Sequence, residues 1–269
     1  MAVVGAFGSA PVPRGRRRVS AAVQNTSSGG EPSSIPDTVL GPPPETKPDY
    51  DNIVGPLGRQ ADDLFLNLFR TELANAAQVD SDLPGYPGLM EIALQMSRSY
   101  PVSEVQTRAH AVLVALFPSW MPPSYKVLFS EPFPSFSARM NAWATYMAGT
   151  WLMGECELND IIDDNGNLAR NQGLLVKRCR FLEESGCASV CVNACKLPTQ
   201  RFFQENMGLP LTMEPDYETF ECQFSFGKTP TIETEASALA TPCLARCPAG
   251  GALRSRHRVA ESCPQMNED

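Results

Sequence analysis

The chain has 269 residues, 43% of them hydrophobic, with 22 basic against 30 acidic side chains and a formal net charge of −8. That composition supports one domain of about 200 residues plus tails, and the acidic balance argues against nucleic acid as a partner. No GxGxxG and no GxxxxGK[ST] phosphate loop occurs, so nucleotide-dependent chemistry is not indicated.

The first thirty residues hold Arg14, Arg16, Arg17, Arg18 and four serines, with no acidic residue before Glu31. This is the composition of an organelle transit peptide, predicted here as a chloroplast leader over residues 1–21 with the run Val19-Ser-Ala21-Ala22 as its processing site. Without those arginines the net charge falls from −8 to −12. Residues 22–49 carry Pro32, Pro36, Pro42, Pro43, Pro44 and Pro48 among few apolar side chains and are expected to form a disordered linker.

Residues 50–155 read as helical. Leu64, Phe65, Leu68, Phe69, Leu73 and Ala77 recur at helical spacing, as do Leu89, Ile92, Ala93 and Met96 beyond a predicted turn at Gly85-Tyr-Pro-Gly88. Ser103 with Gln106 predicts a capping box for a third helix that Pro118 stops. A fourth helix, about 135–154, carries Trp143, Tyr146, Met147, Trp151 and Met153, and is read as a core helix in preference to a lipid-facing one. The nearest candidate, Met140 to Gly154, has fifteen uncharged residues that include Asn141 and two threonines and is too short to span a bilayer, so no transmembrane segment is expected. Any peripheral contact with plastid membranes must then be mainly hydrophobic, because an acidic domain gains nothing from anionic lipid.

Residues 156–248 form a cysteine-rich α+β module, with a flexible tail predicted over 249–269. Short helices are expected at Cys179–Glu184 and Cys187–Lys196, and another opening at Pro198-Thr199 and closing at Gly208. Phe220, Cys222, Phe224 and Phe226 alternate with polar residues as in a half-buried strand, and Leu209, Leu211 and Met213 do so more briefly. Asp160, Asp163 and Asp164 beside Asn165-Gly166 read as a solvated turn. The fold class is α+β, a mainly helical first half joined to the smaller cysteine-rich module.

All nine cysteines lie in the second half, and Cys187, Cys191 and Cys195 are four apart. On a helix they would share one face with a drift of about 40° per step. His110 and His257 are the only histidines and sit in an apolar run and a basic tail, so a thiolate-bound metal is favoured over a histidine-bound one. Three readings stay open: an iron or iron–sulfur centre on Cys187, Cys191, Cys195 and one of Cys179, Cys222 or Cys243; a zinc site on the pairs Cys187/Cys191 and Cys243/Cys247; and disulfides, which the odd count and the leader disfavour. No protease-like cysteine motif is present.

The runs Trp151-Leu-Met-Gly154, Cys179-Arg-Phe-Leu-Glu-Glu-Ser185, Val192-Asn-Ala-Cys-Lys-Leu-Pro-Thr-Gln200, Gly208-Leu-Pro-Leu-Thr-Met-Glu-Pro215 and Pro242-Cys-Leu-Ala-Arg-Cys-Pro248 resemble the Dwarf-twenty-seven family of plastid carotenoid isomerases, nearest its "like" branch. The resemblance covers about residues 140–248. Glu155 stands where the family usually has proline, Asp216-Tyr217 replaces an Asn-Phe pair, and the tail with Cys263 is its own.

The resemblance implies an iron-dependent plastid enzyme, stromal or membrane-peripheral, that interconverts all-trans- and 9-cis-β-carotene at the entry to strigolactone synthesis. On that reading Cys187, Cys191, Cys195 and Cys222 hold iron, mononuclear or in an iron–sulfur centre, with Cys179, Cys243 and Cys247 as alternative ligands and zinc as the lower-ranked metal. Asn193 and Lys196 stand behind the ligands. Trp143, Tyr146, Trp151, Phe224 and Phe226 line the path of the hydrophobic carotenoid substrate, and no catalytic residue is assigned. A non-catalytic carotenoid- or iron-binding plastid protein, or an isomerase of another carotenoid, is the competing expectation.

Overall fold

The computed structural model of the chain describes residues 46–244, 247–248 and 263–266, and the backbone of 17–19. Most of the predicted leader, linker and tail, with His257, lies outside the described residues. Strand β1 (Arg17–Val19) runs parallel to β2 (Val79–Ser81).

Three helices build the first layer: α1 (Arg59–Ala77), α2 (Gly85–Ser99) and α3 (Val102–Ala115). Each buries residues three or four apart: Leu73 and Ala77 on α1, Leu89, Ile92, Ala93 and Met96 on α2, Val105, Ala109 and Val112 on α3. Two boundaries differ from expectation. Gly85-Tyr-Pro-Gly88 is not a turn before α2 but its first turn, where the N–H that Pro87 lacks would have no helical partner. The capping box at Ser103 does not form: α3 starts one residue earlier behind Pro101, and the Ser103 carbonyl accepts from Thr107 Oγ1 inside the helix.

Proline-rich chain then gives α4 (Met121–Tyr125), a wide π turn over Lys126–Ser130, and α5 (Pro134–Met153). The face α5 buries is made of Ser137, Ala138, Asn141, Ala142, Thr150 and Met153, while Trp143 stands outward. The reading of this helix by its aromatics is therefore corrected. Small side chains let it pack closely, so the bulky ones are left outside or at the edge.

The sheet has the order β3-β4-β6-β5 and is antiparallel throughout. β3 (Cys156–Ile162) and β4 (Leu168–Val176) were not anticipated, because β3 is half-polar and β4 carries the polar run Arg170-Asn-Gln172 after its first two residues. The solvated turn between them is present, with Asp163 Oδ1 accepting from the backbone of Asn165 at 2.9 Å and Asn167 at 2.8 Å. β5 (Leu211–Pro215) and β6 (Cys222–Phe226) fall where alternation placed strands. Phe224 sits opposite Leu174 on one side and Met213 on the other, and α5 packs against the sheet.

Between β4 and β5 the chain forms α6 (Arg180–Ser185), then one continuous helix from 188 to 207. It consists of α7 (Ala188–Cys191), a π turn (Val192–Lys196), α8 (Leu197–Phe202) and a second π turn (Phe203–Met207). Pro198 does not open a new helix. The π turn ahead of it, where the Leu197 N–H reaches back to the Val192 carbonyl, lets the chain pass the proline without a break. Gly208 closes the helix in the left-handed region at φ +68°. The last helix, α9 (Ile232–Leu239), is capped by Thr231, whose side chain accepts from the Thr234 N–H.

Candidate functional site: buried thiols between two cavities

The helix from 188 to 207 runs through the core and carries Cys191 and Cys195 four residues apart, with the π turn between them. The wider turn brings residues four apart nearer to one line than a regular helix would. Cys222 enters from the first residue of β6, and Cys179 from the N-cap of α6. The Cys179 N–H donates to the Phe220 carbonyl at 2.7 Å, which ties these two arms together.

Cys179, Cys191, Cys195 and Cys222 feel one another. Burial pushes the Cys179 thiol up to about 11 and Cys195 to about 12, and Cys179 adds to the rise at Cys195. Cys191 and Cys222 are held well above the ordinary thiol value by burial first, then by the neighbouring thiols. Lys196 acts the other way on both. Its ammonium, 1% exposed and paired with Glu235, is the cation that favours a thiolate at Cys191 and Cys222.

Cys187 is placed elsewhere. As N-cap of α7 its thiol meets Cys247, Cys247 in turn meets Cys243, and Cys243 meets Cys263. These hydrogen-bonded contacts, and burial after them, raise the Cys187 and Cys243 thiols. The terminal segment is pinned here by Ser189 Oγ, which donates to the Gln265 carbonyl at 2.7 Å. The row of three cysteines read as one face is thus divided between two thiol groups. Among the described residues no two cysteines are joined by a disulfide.

Two cavities lie near the first group, one with Cys195 in its wall and one bordered by Lys196 and Tyr217. A small one of about 40 Å³ is almost wholly apolar; Phe69, Leu73, Val112, Leu152 and Phe181 line it, with Cys195 and Thr199. The Thr199 hydroxyl is in hydrogen-bonding contact with the Cys195 thiol. On the other side Lys196, Met213, Tyr217, Glu233 and Thr241 border an open cleft of about 330 Å³. The Tyr217 hydroxyl, buried beside Cys191 and Cys222 and leaning toward Thr241, closes no hydrogen bond of good geometry.

The donor set fits thiolate-bound iron in its chemistry, with three buried soft ligands, the partly buried Cys195, one cation beside them and an unsatisfied phenol hydroxyl. Among the described residues no three potential ligands stand converged on a preformed ion position, so metal binding would have to draw the thiols together. Asn193 faces away from this group: its side chain donates to Ser189 Oγ at 3.2 Å and accepts from Gln106 Nε2 at 2.8 Å. His110 bonds Asn206 at 2.9 Å.

The aromatic residues expected along one path are dispersed. Phe224 and Phe226 are core residues, Trp143 is 54% exposed, Tyr146 packs at the edge of the core, and Trp151 meets Phe69 edge-to-face at 5.8 Å. Sequence reasoning missed Tyr217, Thr199 and Glu235 as neighbours of the thiols. Tyr217 was visible only as a departure from a pattern, and nothing local marks Glu235 as the partner of a lysine on another helix.

A helical body thus joins a cysteine-rich α+β module whose widened central helix carries Cys191 and Cys195. Residues 151–235 match the family described as "Beta-carotene isomerase D27-like, C-terminal". The chain is 29% identical over 223 residues to "Beta-carotene isomerase D27, chloroplastic" of Medicago truncatula, covering 76% of this chain and 86% of that protein. It is 26% identical over 198 residues to the protein of the same name from Arabidopsis thaliana, covering 72% and 73%. No solved structure matches.

Proposed function

We propose that the chain is a plastid isomerase that interconverts all-trans- and 9-cis-β-carotene with thiolate-bound iron and so feeds strigolactone or other apocarotenoid synthesis. The observation that carries the reading is the position of Cys195, whose thiol lines an apolar cavity on one side and belongs to a four-thiol group on the other. A hydrocarbon chain offers no hydrogen bonds, so a site for it must be apolar and select by shape. The names of the two relatives support the substrate class and the plastid location.

Turning a double bond of a polyene requires a transient loss of bond order. Iron held by Cys179, Cys191, Cys195 and Cys222 would supply a one-electron or Lewis-acid route to that loss. The residues of this chain have three tasks. The apolar walls on α1, α3 and α5 exclude water from the reacting bond. Thr199 orients the Cys195 thiol through their contact, and Lys196 stabilises the charged form of Cys191 and Cys222. At about 40 Å³ the cavity must widen to admit a segment of polyene, and its position between helices allows that by their parting.

The test is chromatographic. Anaerobically purified full-length chain is incubated with all-trans-β-carotene in micelles beside a Cys195→Ser variant, and the isomers are resolved. The 9-cis form should accumulate with the wild type and much less with the variant. Carotenoid retained without any isomer change would move the case to a binding protein, and turnover of a different carotenoid alone would change the substrate.

A further inference from the structure

We propose that the face built by residues 117–143 is a docking surface for an uncharged lipid bilayer. This inference rests on the carotenoid reading for its choice of occupant and on the surface itself for its location.

Trp120, Val127, Leu128, Phe133, Phe136 and Trp143 are each between 47% and 68% exposed, all within one short stretch of chain. Elsewhere among the described residues the largest such group is aliphatic, Val54, Leu57, Leu64 and Leu68, without an aromatic ring. Within the same stretch three rings stand side by side, Tyr125 and Phe129 centred 5.3 Å apart and Phe129 and Phe136 6.3 Å apart. Large apolar side chains exposed at this density along one segment point to an interaction site.

Its underside is polar, which inverts the usual arrangement of a surface helix. Ser130, Ser137 and Asn141 are buried beneath it. Asn141 Nδ2 donates to the Tyr125 hydroxyl at 2.9 Å, Ser130 and Ser137 are 3.0 Å apart, and Ser130 Oγ donates to the Met207 carbonyl at 2.6 Å. The polar atoms of the segment are thus satisfied inward, and its apolar atoms are turned to the outside. The last of these bonds anchors the patch to the end of the cysteine-bearing helix, as does the stacking of Phe117 on Phe202 at 5.4 Å.

Charge selects the kind of surface. Lys126, Glu131 and Arg139 are the only charged side chains in the segment, while the whole chain is at −8. Anionic lipid would repel the body and gain little from the patch, whereas an uncharged interface costs neither. Tryptophan at two exposed positions suits the boundary between headgroups and acyl chains. Among the described residues no helix is long and apolar enough to cross a membrane, so contact from one side is the mode that fits. The substrate proposed above dissolves in that same lipid, and the patch would hold the helix carrying Cys191 and Cys195 beside it.

The experiment is co-sedimentation of the full chain with phosphatidylcholine or galactolipid vesicles, at low and high salt, for wild type and the double variant Trp120→Glu/Phe133→Glu. Wild type should pellet with uncharged vesicles almost independently of salt, and the variant should partition at least about tenfold less. The variant should keep its circular dichroism spectrum and its activity on carotenoid in micelles. Wild type left in the supernatant, or a variant that binds equally well, would overturn the proposal. So would a wild-type dimer that the substitutions dissociate without any vesicle binding, since the face would then belong to a second copy. Vesicle binding without isomerisation in micelles would remove the carotenoid reading and leave the docking surface standing.

Discussion

Lys196 is 1% exposed, and its ammonium is paired with Glu235 of α9 while facing the thiols of Cys191 and Cys222. A lysine is buried to this degree only with a partner, and here the partner comes from a helix that packs over the module late in the sequence. The pair thus serves the fold and the site at once.

Substitution separates the two roles. Lys196→Met leaves Glu235 without its cation and should lower stability by about 3 kcal/mol, the lower end for a broken buried pair because the glutamate is a quarter exposed. The double variant Lys196→Met/Glu235→Leu should recover most of that loss in urea unfolding. Native thiol reactivity should stay depressed in both, because neither restores the cation beside Cys191 and Cys222. Recovery of thiol reactivity in the double variant would show that the lysine acts on the fold alone.

The division of the thiols predicts different metal behaviour for cysteines that are neighbours in sequence. Cys191→Ser should lower bound iron and isomerase activity together in anaerobically purified protein. Cys187→Ser, whose thiol meets Cys247, should lower them less. Equal losses from both substitutions would favour the single-face ligand set that the four-residue spacing suggests.

Strand β4 contains a position where any side chain is excluded. Asn159 of β3 and Gln223 of β6 reach across Gly173 and bond each other at 2.7 Å and 3.1 Å. A Cβ on residue 173 would stand 2.1 Å from Asn159 Oδ1 and 2.6 Å from Ile161 Cγ2. Gly173→Ala should therefore destabilise the fold by about 3 kcal/mol, combining overpacking with a lost polar pair. The chemical denaturation midpoint reads this directly.

Alkaline pH should weaken the metal-free protein. Burial raises Cys156 and Cys195 to about 12 and Cys179 to about 11 from an ordinary value of 9.0. The unfolded chain gives up these protons first. Stability from the three thiols is thus complete below pH 9 and is lost as pH rises from 9 toward the folded values. Urea midpoints should be level at neutral pH and fall above about pH 9, and Cys156→Ala should make that fall shallower.

The helical first half was legible because its core faces repeat every three to four residues, and β5 and β6 because Phe224 and Phe226 alternate with polar neighbours. β3 and β4 were not, since Asn159 and Gln172 are polar and take their place from partners on other strands. The cysteine row shows a second limit. Spacing placed Cys187, Cys191 and Cys195 on one face, but a helix cap at Cys187 and a tail returning from residue 263 drew the first thiol to another group. The three π turns, at 126–130, 192–196 and 203–207, were equally hidden, because no local propensity marks them.

Approach to equilibrium from both sides separates catalysis of carotenoid isomerisation by this chain from carotenoid binding alone. Pure all-trans- and pure 9-cis-β-carotene are incubated separately in the dark with the metal-loaded full-length chain, and isomer ratios are followed by chromatography. A catalyst must drive both mixtures to the same ratio, faster than protein-free controls, and that convergence is the result expected. Two mixtures that keep their starting isomers while the protein retains carotenoid would contradict catalysis.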